Sequence, residues 1–260
     1  MPAETPAKAG VRPPATKEAP PADPTAAAFV ARLESHASET ERVKYERYFK
    51  LGEGEYGEGD RFIGVRMGTV FELAKAFIGM PLDQIERLME SDIHEARAGA
   101  MSIMAKQFGL RKQTEARREA LYRLYLRRHD RINNWDLVDL AAWHVVGAWL
   151  VDKPHKVLFK LARSKNMWER RTAILATYAF IREGELDDTY ALAELMLGEK
   201  EDLVQKAVGW MLRTTGNDRA RLHAFLDRHA ATMPRTMLRN AIEKLPPAER
   251  AHYLGLTPSV

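Results

Sequence analysis

Apolar side chains recur at intervals of three, four and seven residues along most of the chain after residue 24. This spacing is typical of amphipathic helices, and no convincing stretch alternates apolar and polar residues as a half-buried strand does. Short segments rich in turn-forming residues separate the periodic stretches. The pattern therefore predicts an all-α fold. The predicted helices cover residues 25–37, 40–50, 67–78, 82–90, 92–108, 114–129, 134–150, 155–163, 166–183, 187–197, 201–215, 217–231 and 235–244.

A weak internal repeat relates four of these helices. When their sequences are aligned, one position is occupied in turn by Arg97, Asp139, Arg171 and Lys206, at separations of 42, 32 and 35 residues. Such spacings are close to those of HEAT, armadillo and other helical repeats, in which each unit packs on its neighbours. We therefore expect a HEAT/ARM-like helical repeat solenoid with a concave basic groove, lined by these four side chains.

The two ends of the chain differ in composition. Residues 1–24 are rich in Pro and Ala and show no helical periodicity, which predicts a disordered tail before one folded domain over residues 25–260. The tail lacks the apolar stretch of a secretory signal, and no apolar run in the chain is long enough to cross a membrane. The absence of cysteine excludes disulfides, thiolate catalysis and Cys-based zinc sites. These features favour a cytoplasmic protein without a membrane partner.

The positive charge is concentrated in two segments. The net charge of the chain is only +4, but residues 97–131 contain ten Lys or Arg against three Asp or Glu, and residues 153–182 contain eight against one. Clustered cations indicate a surface for a polyanion. Solvated helix faces carry similar charge, so the composition alone does not decide between these two interpretations.

The segment Asn134-Trp-Asp-Leu-Val-Asp139 places an aromatic ring and a carboxylate on one helical face. An Asn supplies an N-cap, and Trp135 and Asp139 lie four residues apart. Asp136 lies in the first turn, where the helix macrodipole accounts for an acid. Asp139 lies one turn further and shares its repeat position with cations. It therefore either forms an ion pair with one of them or acts on a ligand.

A second helical face combines cations with an aromatic ring. Lys206, Trp210 and Arg213 follow one another at i, i+4 and i+7. Such a stripe suits DNA, because cations bind phosphates while an indole packs on a sugar or a base. The alternative is that the tryptophan belongs to the core. Trp168 and Arg171 leave a similar choice, since the arginine either stacks on the indole or reaches a phosphate.

Motifs of several other enzyme classes are missing. The sequence has no G-x-S-x-G, P-loop or H-E-x-x-H motif, and its eight histidines show no ligand spacing. The glycines at 52, 54, 57 and 59 alternate with acids that would repel a phosphate. Residues 51–62 are therefore interpreted as a flexible loop and not as a nucleotide-binding loop. We expect neither a metal nor a cofactor.

Three segments resemble the signature helices of the AlkD-like DNA alkylation repair proteins, a family of HEAT-like repeat DNA glycosylases. They are Asn134-Trp-Asp-Leu-Val-Asp139, Trp168-Glu-Arg-Arg-Thr-Ala-Ile-Leu175 and Val204-Gln-Lys-Ala-Val-Gly-Trp-Met-Leu-Arg213, in matching order and with matching separations. Residues 56–66 are similar to the loop before the family's first repeat, so the resemblance covers about residues 28–245. The chain has Met67-Gly68 where the family commonly has a proline, a departure that concerns the DNA contacts of the first repeat.

The resemblance implies a monofunctional DNA glycosylase. Such an enzyme removes cationic N3- or N7-alkylated purines from double-stranded DNA in base excision repair, here as a monomer and without flipping the base out of the helix. The resemblance places the catalytic aspartate at Asp139 and the two tryptophans that flank the lesion at Trp135 and Trp210. The alternative is a non-catalytic HEAT-like module that binds DNA or protein. The expected DNA-binding cations are Arg97, Arg171, Lys206 and Arg213.

Overall fold

The computed structural model describes residues 19–257. Most of the predicted disordered tail, residues 1–18, lies outside the described residues, as do residues 258–260 of the expected domain. The described part forms α-helices and short 3₁₀ or π turns, with no β-strand and one isolated bridge between Arg61 and Ile93. None of the described helices is long and apolar enough to cross a membrane. The α-helices are α1 Ala26–Glu34, α2 Glu39–Tyr48, α3 Met67–Ala76, α4 Leu82–Met89, α5 His94–Phe108, α6 Glu115–Arg127, α7 Trp135–Ala141, α8 Ala148–Leu150, α9 Lys156–Leu161, α10 Met167–Ala176, α11 Tyr178–Arg182, α12 Asp187–Leu195, α13 Asp202–Thr214, α14 Arg219–His229, α15 Arg235–Ala241 and α16 Pro247–Gly255.

The all-α prediction is confirmed, but two predicted helices are divided and one helix was not predicted. The predicted helix 134–150 is divided by a π-helical turn over Ala142–Gly147. The predicted helix 166–183 is divided at Thr177, a buried residue whose hydroxyl donates to the Ile174 carbonyl, a bond that bends helices. Helix α16 was not predicted, because its two prolines look like helix breakers. Pro247 lies at the first position of the helix, where a proline is favourable.

The helices of the predicted repeat stack directly on one another. Helix α5 packs on α7, α7 on α10, α10 on α13, and α13 on α15, around one continuous apolar core. A Cβ at Gly209 in α13 would overlap the carbonyl oxygen of Met237 in α15, so this glycine permits the close approach of the last pair. The helical solenoid prediction is confirmed, and the four aligned positions lie on four successive helices.

Part of the positive charge in residues 97–131 binds helices to one another. Arg128 forms ion pairs of 3.2 and 2.8 Å with Glu86 and Glu90 at the end of α4. Arg131 donates to the carbonyl oxygens of residues 89, 90 and 91. Cations at a helix C-terminus satisfy carbonyl groups that have no partner inside the helix. These arginines therefore stabilise the stack, and the charge of Arg128 is already compensated by acids within the protein.

Candidate functional site

The start of α7 is capped as the sequence predicts. Asn134 has an extended backbone, and its side-chain oxygen accepts a hydrogen bond from the Trp135 N–H. One helical turn later, Asp139 keeps 23% of its side chain exposed, although its backbone lies among the buried residues of α7. Trp135 is half-buried. The capped helix therefore presents an indole and a carboxylate side by side.

Asp139 is fixed by Arg171 of the next repeat helix. The guanidinium donates from Nε to Oδ1 and from Nη2 to Oδ2, both at 2.9 Å, which is a bidentate pair. Its Nη1 also donates to the carbonyl oxygen of Leu203 at the start of α13. Burial raises the pKa of Asp139 above its usual value, and the charge and hydrogen bonds of Arg171 oppose this rise. The arginine therefore holds the carboxylate in place and favours its ionised form.

The exposed side of Asp139 faces a cavity of about 360 Å³, here named the Asp139 cavity. Its walls are mainly aromatic and aliphatic, so the carboxylate lies in surroundings that carry few other polar groups. Asp136 and Asp139 are the only charged side chains in the lining. The lining residues are Tyr45, Tyr48, Phe49, Met67, Phe71, Trp135, Asp136, Asp139 and Leu140.

A second cavity of about 360 Å³, named the Lys206 cavity, lies on the other side of Trp135 and Tyr48. The Tyr48 ring is 63% exposed and meets the Trp135 ring edge to face, with centroids 5.8 Å apart. Lys50 also lines this cavity, with a left-handed backbone (φ 51°) at the end of α2. Sequence reasoning missed Lys50, because nothing in the pattern of α2 marks the residues at its end as part of a cavity.

The predicted stripe on α13 is present, with its cations in exposed ion pairs. Lys206 lies 2.6 Å from Asp202, and Arg213 pairs with Glu243 of the loop after α15. Trp210 is 37% exposed, which excludes a purely core role. Trp210 does not line the Asp139 cavity, so the two expected lesion-flanking tryptophans do not meet there. The stripe is a solvent-facing surface beside the cavities.

Arg97 departs from the expectation that it lines the groove. Its residue is only 3% exposed. The guanidinium donates to Asp60 Oδ1 at 2.6 Å and to the Ser91 carbonyl at 2.9 Å. The expectation that it lines the groove is wrong, because the side chain points into the protein interior and compensates a buried acid there. Helix α5 is buried on nearly all sides, so it offers no outer face to this position.

A buried carboxylate–imidazole–carboxylate network fixes the start of α7, and sequence reasoning missed it. His94 Nδ1 lies 3.0 Å from Asp60 Oδ2, and its Nε2 lies 2.8 Å from Asp136 Oδ2. Burial alone would lower the pKa of His94, but the two carboxylates raise it to about 9. The imidazolium therefore donates to both. Asn133 and Asn134 donate to the Asp60 carboxylate as well, so residues 133–136 are tied to the loop before α3.

The loop after α2 is held by α5 and by aromatic packing. Glu95 accepts hydrogen bonds from the N–H groups of residues 63, 64 and 65. Phe49 stacks on Trp135 with ring centroids 5.5 Å apart. Residues 51–62 therefore include a buried acid, Asp60, whose side chain is 3% exposed. They are not a uniformly exposed acidic loop. Helix α2 and this loop form one wall of the candidate site.

The fold and the site define a class: a helical repeat protein with a carboxylate that an arginine fixes beside a half-buried indole, open to a solvent-facing cavity. The chain belongs to the DNA alkylation repair enzyme family, which matches residues 29–245. Membership assigns it a role in DNA alkylation repair, with DNA as its substrate.

Among solved structures, the chain is similar to the "Predicted DNA alkylation repair enzyme from Enterococcus faecalis". The two share 17% sequence identity with a TM-score of 0.62, over 82% of this chain and 98% of that chain. This likeness shows the fold. No curated protein matches the sequence.

Proposed function

We propose that the protein is a monofunctional DNA glycosylase that excises cationic N3- and N7-alkylpurines from double-stranded DNA as a monomer. The observation that carries this proposal is the Asp139 carboxylate, held by two hydrogen bonds from Arg171 and open to an aromatic cavity. An ionised carboxylate in such a place is suited to stabilise a positive charge that develops on a bound sugar.

The chemistry needs little beyond one anion. An alkylated purine already carries a positive charge, so its bond to the sugar breaks with the electron pair leaving on the purine nitrogen. The sugar acquires oxocarbenium character at C1′. Water then adds to C1′ and loses a proton, which leaves an abasic site. Asp139 stabilises the charged sugar and orients this water. No acid is required, because the neutral alkylpurine is a good leaving group.

The proposal includes recognition without base flipping. Enzymes that extrude a base read its edge with hydrogen-bonding side chains in a pocket. Among the residues that line the Asp139 cavity there is no Asn, Gln, Lys or Arg. We propose that Trp135 and Trp210 contact the deoxyribose of the lesion, and that the damaged base stays in the stack.

We assign the binding of DNA phosphates to the cations beside the cavities. Lys206 and Arg213 lie on α13 in exposed ion pairs, which contribute little to stability and can be exchanged for phosphate contacts. Lys50 and Lys206 face the same cavity. Arg171 reaches a phosphate only if one approaches the Asp139 pair itself, because its own exposure is 5%.

The competing function is a non-catalytic DNA-binding module on the same scaffold. Such a module gains nothing from a half-buried carboxylate beside its phosphate contacts, since like charges repel there and burial penalises the charge. The bidentate Asp139–Arg171 pair therefore favours the glycosylase.

The test is release of 7-methylguanine and 3-methyladenine from methylated duplex DNA. The parent protein is compared with Asp139→Asn and with a control, Asp187→Asn, whose side chain is 91% exposed. We expect release by the parent and the control, and release about 10²- to 10³-fold slower by Asp139→Asn. DNA binding by the parent without any release would favour the non-catalytic module.

A further inference from the structure

A third and a fourth cavity continue from the Asp139 cavity along α7. Phe71 and Leu140 line both the Asp139 cavity and a cavity of about 260 Å³, which also contains Lys106 and His144. His144 in turn lines a larger cavity of about 680 Å³. These cavities are therefore neighbours, each sharing lining residues with the next, in a series that leads from Asp139 past His144. We name the larger space the distal cavity.

The distal cavity joins aromatic rings to cations. Its lining includes Trp143, Trp149, Arg118, Lys153 and Arg182. Lys153 Nζ lies 4.1 Å from the Trp149 ring centroid, and the Arg182 guanidinium lies 5.7 Å from that of Trp143. A flat ring beside a cation suits nucleic acid, because the ring packs on a sugar or base while the cation binds the adjoining phosphate.

The charges of this cavity are incompletely compensated. Two acids, Glu115 and Asp152, also line it, and Asp152 pairs with Lys153 at 2.7 Å. Arg118 donates only to the backbone carbonyls of residues 108 and 110, and no acid of the described chain pairs with Arg182. Burial lowers the pKa of His144 to about 4, and Lys106 and Arg182 act in the same direction, so its ring is neutral. The net charge of the lining is therefore positive.

The π-helical turn places these rings. Residues 142–147 form a π turn, which has about one residue more per turn than an α-helix. The side chains that follow are therefore rotated by about 100° around the helix axis. Trp143 and His144, at the start of the turn, are in ring contact, and Trp149 follows it and stacks on Tyr122. π turns recur at functional sites.

We propose that the distal cavity is a second DNA contact, in which Arg118 and Arg182 bind a backbone phosphate and Trp143 packs on the adjoining sugar. This proposal rests on the proposed function, in which DNA is the ligand. The distal cavity lies beyond the small cavity next to the Asp139 cavity, so the second contact falls to one side of the lesion.

The experiment is fluorescence anisotropy with undamaged and methylated duplexes at several salt concentrations. The variant is Arg182→Ala, which removes an exposed side chain and leaves the core intact. The control is Arg228→Ala, an exposed arginine of α14 that lines none of these cavities. We expect Arg182→Ala to weaken binding about threefold to tenfold, with a log–log salt slope shallower by about 0.9. The control keeps the parent values.

Duplexes shortened to two base pairs on one side of the lesion locate the contact. On one of the two shortened duplexes, the difference between the parent and Arg182→Ala disappears. Equal affinity of parent and Arg182→Ala for every duplex would overturn the second contact, while release of methylpurines by the parent would leave the proposed function standing. Weaker binding by Arg182→Ala without any release would uphold the contact and overturn the chemistry.

Discussion

Two carboxylates three residues apart on α7 line the same cavity but differ in their partners and their exposure, with 10% of the Asp136 side chain exposed against 23% of Asp139. Asp136 meets the imidazolium of His94 and the N–H of Leu137, and its network is enclosed on the side of α5 and the preceding loop. Asp139 meets one arginine and keeps part of its surface open to a cavity. A neighbouring cation compensates the charge of each carboxylate. The comparison teaches that the exposed share of the side chain, and not the presence of an ion pair, separates the acid proposed to act on a ligand from the acid that positions the start of α7.

The largest expected effect separates the two acids directly. Asp139→Asn should lower the excision rate by about 10² to 10³-fold, because a preorganised charge at the sugar is lost. Its affinity for DNA should be equal to or higher than that of the parent, because a charge that repels phosphate is removed. Single-turnover excision and anisotropy measure the two quantities. Excision at the parent rate would show that this carboxylate has no catalytic role.

A substitution of Arg171 tests what this arginine contributes to the Asp139 carboxylate. Arg171→Gln leaves Asp139 buried without its cation, so the pKa of Asp139 should rise further and the acid limb of the pH–rate profile should move to higher pH. Excision at neutral pH should fall roughly tenfold to a hundredfold, as for a misplaced catalytic group.

A matched control lies next to Arg171. Arg170 also binds a carboxylate of a neighbouring element, with Nε 2.7 Å from Glu199. Arg170→Gln should leave the pH profile unchanged. An identical profile in both variants would mean that Arg171 stabilises the stack and does not act on Asp139.

Substitutions in the Asp136 network should affect stability and not chemistry. His94→Gln should reduce the free energy of unfolding by about 2 kcal/mol, since it leaves buried acids with fewer donors. The folded fraction should excise at nearly the parent rate. Denaturant unfolding and excision per folded molecule measure this, and a large loss of rate in the fully folded variant would contradict it.

The same network gives stability a pH dependence. The pKa of His94 is raised from 6.5 to about 9 in the folded protein, so the bound proton contributes stability that is fully present below pH 6.5. That contribution is lost as the pH rises through 9. The Tm of the parent should therefore fall more steeply than that of His94→Gln over this interval.

The smallest expected effect concerns an exposed pair. Arg213→Ala breaks a surface ion pair with Glu243, which contributes little to stability. It should weaken binding to damaged and undamaged duplexes alike by severalfold, with a salt slope shallower by about 0.9. A loss of affinity restricted to damaged DNA would be inconsistent with a phosphate contact.

The sequence predicted the parts of the site that follow from spacing along the chain. Trp135 and Asp139 share a face because they are four residues apart, and the repeat alignment brought Asp139 and Arg171 to equivalent places on neighbouring helices. The direction of Arg97 could not be predicted this way. Helix α5 has 13 of its 15 residues buried, so it lacks the polar face from which a periodic pattern is read.

The Asp60–His94–Asp136 network was also outside the reach of local patterns. Its members lie 34 and 42 residues apart, and each has an ordinary local explanation as a loop acid, a helix-start histidine and a helix-start acid. Their meeting depends on how the loop before α3 folds back over α5 and α7. Contacts of this kind follow from tertiary packing, which no single-helix pattern contains.

Arg171 links three successive layers of the stack, because it belongs to one and bonds to the two on either side. It belongs to α10, grips Asp139 of α7, and donates to the Leu203 carbonyl where α13 begins. Solenoids bend by small rotations between neighbouring repeats. A rotation across these three helices changes the distances that these bonds span, so one side chain links the curvature of the protein to the place of its carboxylate.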